Sequence, residues 1–120
     1  EGIITPITKE IFNKLNTIER DWILDNIDYT QETILITHYP TIIKGTSSSR
    51  WENEKFKTIF ATDLPITHPK SLISISGHTH FCYDFIDSDT GTRHIGNHRG
   101  YKDEVDSGEI KFDVSGVYKL

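Results

Sequence analysis

The sequence predicts a mixed α/β fold, and three observations carry that expectation. An amphipathic stretch lies near the start of the chain, two short apolar runs read as buried strands, and a polar turn segment between two alternating stretches reads as a hairpin. With 120 residues, the expectation is a single domain over residues 1–120 with one compact core.

The elements follow in order. Pro6 and Thr8 make a helix start, and Ile11, Leu15, Ile18 and Trp22 recur at helical spacing, with Phe12, Ile23 and Ile27 widening the stripe. Such a stripe is expected to pack on the core. Asn26 and Asp28 then interrupt the pattern. Thr33 to Thr37 is a continuous apolar run expected to be a strand covered on both faces. Pro40 ends its pairing. Lys44 to Ser49 reads as a flexible polar loop, and Arg50 to Asp63 is compatible with a second helix built on Trp51, Phe56, Ile59 and Phe60. Leu64-Pro65 and His68-Pro69 form a connection, with His68 expected at the surface. Leu72 to Ser76 is the second buried strand. Phe81–Ile86 and Thr92–Asn97 flank Asp87–Gly91 as the two arms of a hairpin. Ile110, Phe112 and Val114 alternate with polar residues, which predicts a last, half-exposed strand.

Composition narrows the function classes. The net charge of −5 argues against a nucleic-acid backbone as the main partner, because such binders need a surplus of Lys and Arg. No apolar run approaches the ~18 residues of a membrane helix, so no membrane partner is expected. The single cysteine, Cys82, excludes an intrachain disulfide and favours a reducing, cytoplasmic setting. Set in an apolar strand, it is expected to be a buried, inert thiol. The chain starts at Glu1 and contains no methionine, which is expected of a piece processed or cut from a longer chain.

The chemistry-bearing residues are histidines at strand ends. The first strand runs into His38 and the second into Gly77-His78-Thr79-His80. Ligands of open α/β sheets gather beyond the carboxyl ends of strands, so this places neutral nitrogen donors along one rim. In a fully extended chain the two rings of His-x-His point to opposite faces. Gly77, which tolerates positive φ, is expected to supply the turn that redirects them.

The stretch Thr37-His38-Tyr39-Pro40, then Gly77-His78-Thr79-His80, then a hairpin, then Asn97-His98-Arg99-Gly100-Tyr101 resembles the C-terminal half of a calcineurin-like metallophosphoesterase, over roughly residues 8 to 114. The resemblance implies the C-terminal half of a four-layer α/β/β/α sandwich. It also implies a hydrolase of phosphate mono- or diesters with two divalent metal ions, Mn, Fe or Zn. By that resemblance His38 and His78 hold one metal and His80 the other. Asn97, Arg99 and Tyr101 are substrate-binding or outer-contact candidates. Asp84 is a candidate partner for the free nitrogen of a metal-bound imidazole.

The same resemblance implies a missing N-terminal half that carries the Asp-x-His, the bridging Asp and the general-acid His. No catalytic residue is therefore expected in this chain, which should be inactive alone and prone to associate through an uncovered sheet face and open edge. Two residues depart from the family pattern. Tyr39 stands where a second His is common, and His98 replaces the Pro of the Asn-Pro-Arg-Gly-Tyr block. His98 is open between a further polar group near the site and a solvent-exposed loop residue. His94 is expected to serve a cross-strand role. Arg99 is open between phosphate binding and a structural ion pair.

Two alternatives stand beside this expectation. One is a non-catalytic or degenerate binding and scaffold module of the same fold. The other is a cupin-type metal-binding barrel, whose His-x-His, carboxylate and glycine spacing is approached by His78, His80, Asp84 and Gly91. Against the cupin, the carboxylate is Asp rather than Glu, Ile73 replaces a turn glycine, and helical stretches precede the motif. Ser47 to Ser49 lacks the glycine-flanked turn of a nucleophile elbow.

Overall fold

The computed structural model describes residues 6–51, 57–66 and 72–119. The elements are helix α1 (Lys9–Asn26), strand β1 (Thr33–Thr37), a short 3-10 turn at Ser49–Trp51, helix α2 (Lys57–Phe60), strands β2 (Leu72–Ser76), β3 (Tyr83–Ile86) and β4 (Arg93–Gly96), and helix α3 (Lys102–Asp106). The architecture is mixed α/β with one four-stranded sheet, ordered β1-β2-β4-β3. Pairs β1·β2 and β2·β4 are parallel, and β3·β4 is antiparallel. Among the described residues no helix is long and apolar enough to cross a membrane.

Helix α1 begins where its cap predicts. The Ile11 N–H donates to Thr8 Oγ1 at 3.3 Å, which satisfies one of the first-turn donors that lack an intrahelical partner. It ends as Ile27 turns extended, with Asp28 accepting from Thr30 N–H at 2.8 Å to tighten the following turn. The apolar stripe, however, is not in the core. Phe12 is 54% exposed and Trp22 65%, and Ile11, Leu15 and Ile18 are exposed with them. The helix faces the rest of the chain through Asn16, Arg20 and Ile23, with Asn16 reaching Thr62 at 3.5 Å.

Strand β1 corrects a second expectation. It is the sheet edge and only half covered, with Ile34 and Ile36 pointing outward, the latter 73% exposed. Strand β2 sits between β1 and β4 and is buried as its apolar run predicts, with Leu72 and Ser74 almost inaccessible. A polar residue survives there because it is paired: Ser74 and Thr41 share a hydroxyl hydrogen bond at 2.8 Å. The hairpin forms as predicted. Asp87 organises its turn by accepting from the Thr90 hydroxyl at 2.6 Å and from the Thr90 N–H at 3.2 Å.

Two further expectations are corrected. The Lys44–Ser49 stretch is not a solvated loop, because Thr46 is fully buried and its hydroxyl bonds the carbonyls of Ile42 and Ile43. The predicted last strand is absent: no strand follows β4 among the described residues, and Val114 is 89% exposed. Ile110 alone of that pattern is buried, where it packs against Gly100. Of the expected second helix, the described residues hold the Ser49–Trp51 turn and α2; residues 52–56, with Phe56, and His68 lie outside the described residues.

Candidate functional site

Parallel pairing in register brings the strand ends together. Thr37 of β1 lies opposite Ser76 of β2, and Ile75 lies opposite Ile95 of β4. The residues that follow therefore emerge along one rim: His38 after β1, Gly77-His78 after β2, and Asn97-His98 after β4. The Gly77 N–H extends the ladder by donating to the His38 carbonyl at 3.0 Å.

The turn beyond β2 is made by the histidines themselves. His78 has φ of 70° and His80 of 49°, whereas Gly77 has no positive φ. An L-residue in this region is disfavoured, and such residues cluster at functional sites. The expectation that Gly77 supplies the turn is thus corrected. Crowding does not require glycine here either, since a Cβ would meet the ring and the carbonyl of His38 at 3.5 Å, an ordinary contact.

His98 holds this turn in place. Its Nε2–H donates to the Ser76 carbonyl at 2.8 Å, and its Nδ1 accepts from the Phe81 N–H at 3.2 Å. One imidazole thus ties the residue before the turn to the residue after it. The two bonds together select the Nε2–H tautomer. His98 is buried, which rules out the exposed loop histidine and leaves the polar group beside the site. Burial is the main reason its titration lies below the ordinary histidine range, with the Ser76 carbonyl opposing.

The rings of His38 and His78 lie 5.2 Å apart in an edge arrangement, and Tyr39 packs 4.1 Å from His78. His78 Nε2 is shut off from solvent and has no hydrogen-bond partner among the described residues. Its protonation is held down first by burial and then by the neighbouring His38, with the Ile59 backbone opposing. Both leading causes favour the neutral imidazole, the form a metal ion takes.

His80 points elsewhere along the same cavity. Its Nδ1 lies 2.9 Å from Glu104 Oε2, and Tyr101 packs edge-on against its ring at 4.6 Å. His38, His78, His80, Tyr101 and Glu104 all line a cavity of about 540 Å³, with Phe60 and Trp51 on its apolar wall. Among the described residues, no three His, Cys, Asp or Glu side chains converge closely enough to hold a metal. The histidines are brought together as a pair, His38 with His78, and a single residue, His80.

The remaining candidates are placed as follows. Asp84 is corrected as a partner of these imidazoles: both its oxygens are engaged by Arg93 at 2.8 Å across the hairpin, which holds its carboxyl below the usual range. A cross-strand guanidinium in fork geometry outcompetes a ring nitrogen for a carboxylate. Asn97 bonds the backbone of Asp113 in both directions, at 2.8 and 3.1 Å, and so fastens the C-terminal segment. Arg99 is exposed just past the rim. Cys82 is half-buried and lies 3.5 Å from the His98 carbonyl. His94 stacks on Phe85, its neighbour across β3 and β4.

Glu104 was not among the sequence candidates. Its trace in the sequence is a Glu three residues after Tyr101, at the spacing that returns a carboxylate to a helix start. Tyr at the cap position hides that signature, because it is not a capping residue type. No protein-family model, curated protein or solved structure matches the chain.

Proposed function

We propose that this chain is the histidine-bearing C-terminal half of a metal-dependent phosphoesterase with a four-layer α/β/β/α sandwich. Its substrates would be phosphate mono- or diesters, and its ions Mn, Fe or Zn. The observation that carries this reading is His78 Nε2, buried and unpartnered beside His38 at the carboxyl rim of parallel strands. An orphaned buried nitrogen costs free energy unless something binds it.

The donor set fits borderline divalent ions, which favour imidazole. His38 and His78 would hold one ion and His80 the other. Because no three ligands converge among the described residues, the carboxylates that complete both positions are assigned to a second half of the domain. The exposed apolar stripe of α1 and the uncovered Ile34 and Ile36 supply a surface for that half. When bound, the ions supply Lewis-acid polarisation of the phosphoryl group and acidify a water.

The residues of this chain bind and orient. His98 fixes the turn that presents His78 and His80, and Tyr39 and Phe60 shield the His78 ring from water. Exposed Arg99 is assigned to the substrate's phosphate, through the fork of its guanidinium. Asn97 acts through the Asp113 backbone it holds, and Tyr101 through its edge-on contact with the His80 ring. A cytoplasmic setting belongs to the same reading, on the free thiol of Cys82.

The test is metal titration of the chain by calorimetry with zinc and manganese, in the wild type and in His78→Ala. Weak binding that His78→Ala abolishes is expected, without hydrolysis of p-nitrophenyl phosphate by the chain alone. A chain that binds neither metal, or binds them equally well after His78→Ala, overturns the reading.

A further inference from the structure

Glu104 holds two groups with one oxygen. Its Oε2 lies 2.9 Å from His80 Nδ1 and accepts the Tyr101 N–H at 2.7 Å. The carboxylate reaches this position because residue 100 is glycine. Gly100 has φ of 65°, and a Cβ there would lie 2.8 Å from Glu104 Oε2 and 2.0 Å from Ile110 Cδ1. The close approach of α3 to the turn after β2 thus depends on an absent side chain.

A carboxylate accepts and cannot donate, so the proton on the neutral His80 ring must sit on Nδ1. That leaves the Nε2 lone pair for the cavity. The edge-on Tyr101 ring at 4.6 Å restrains the imidazole from its other side.

We propose that Glu104 is the positioning residue of His80: it selects the Nδ1–H tautomer and aims Nε2 into the cavity before any ligand arrives. The inference rests on the metal-dependent reading for its purpose, but its evidence does not require a metal. Losing the outer partner of a ligating histidine lowers metal affinity by about 10- to 100-fold, and that is the effect assigned to Glu104.

The test is long-range nitrogen–proton NMR of the metal-free chain at a pH where histidines are neutral, which reads the tautomer of each ring directly. The wild type is expected to show His80 protonated on Nδ1. In Glu104→Ala the Nε2–H form of His80 becomes the major one, while His98 keeps its Nε2–H form. A wild-type spectrum with His80 protonated on Nε2 overturns the inference without any variant, so loss of fold in Glu104→Ala cannot shelter it. A folded Glu104→Ala with an unchanged His80 tautomer overturns it as well. A correct tautomer in a chain that binds no zinc would instead sink the phosphoesterase reading and leave the Glu104 assignment standing.

Discussion

His98 bonds the carbonyl of Ser76 from Nε2 at 2.8 Å, and this contact anchors a turn whose two histidines both have positive φ. The same ring accepts the Phe81 N–H at 3.2 Å. Strain in the turn is thus offset by a buried side chain from a neighbouring strand end.

Replacing His98 by Leu should expose that dependence. The Ser76 carbonyl and the Phe81 N–H would lose their partner in a buried setting, at a cost of about 2–4 kcal/mol together. Urea denaturation is the measurement. A loss below about 0.5 kcal/mol would mean that the turn stands without its clamp.

The strain itself is measurable at His78. In regular structure Ala is preferred to Gly by about 0.5–1 kcal/mol. At φ of 70° the order should invert, because an L-residue in the left-handed region carries about 1–2 kcal/mol. His78→Gly is therefore expected to be more stable than His78→Ala by about 1 kcal/mol. Both variants lack the imidazole, so the difference isolates the backbone. Equal melting curves would refute it.

Two glycines beside the site should respond differently to the same methyl group. A Cβ on Gly96 would lie 2.6 Å from the Tyr83 ring and 2.8 Å from His98 Nε2, so Gly96→Ala forces buried rings apart. Overpacking of this kind costs about 1–3 kcal/mol. A Cβ on Gly77 meets His38 at 3.5 Å, an ordinary contact, so Gly77→Ala should keep near-native stability. Comparable destabilisation of the two in chemical denaturation would contradict the packing described.

Stability should fall on mild acidification, in part through His94. Burial pushes its titration below the ordinary 6.5, with Asp87 opposing. Above pH 6.5 the ring is neutral in both states and contributes no pH dependence. Below it the unfolded chain takes up a proton that the folded chain refuses, so stability declines until the folded ring also titrates. His94→Phe, which keeps a ring against Phe85, should flatten that part of the pH–stability curve. An unchanged slope in the variant between pH 6.5 and 5 would remove His94 from the account.

Much of the fold was legible because its causes are local. Thr8 caps α1 through its own first turn, Pro40 ends β1, and the Asp87 turn is written in its own side-chain bonds. The histidines at two strand ends were legible for the same reason. What failed were assignments that need a partner to be known. The α1 stripe has helical period whether or not anything covers it, and Ile110, Phe112 and Val114 alternate whether or not a neighbouring strand accepts them. Asp84 could be matched to a histidine by sequence distance, but Arg93 reaches it diagonally across the hairpin and takes both its oxygens.

By itself, then, the sequence determined the helix start, the segments of β1 and β2, the hairpin and the imidazoles that follow β1 and β2. These depend on side-chain periodicity and on contacts within a few residues. Tertiary structure alone decided the parallel register that sets His38 beside His78. It also made His98 a buried clamp and gave Glu104 to His80. Those are contacts between distant segments, chosen by which backbone groups must be satisfied when strand ends meet, and no short-range pattern encodes that choice.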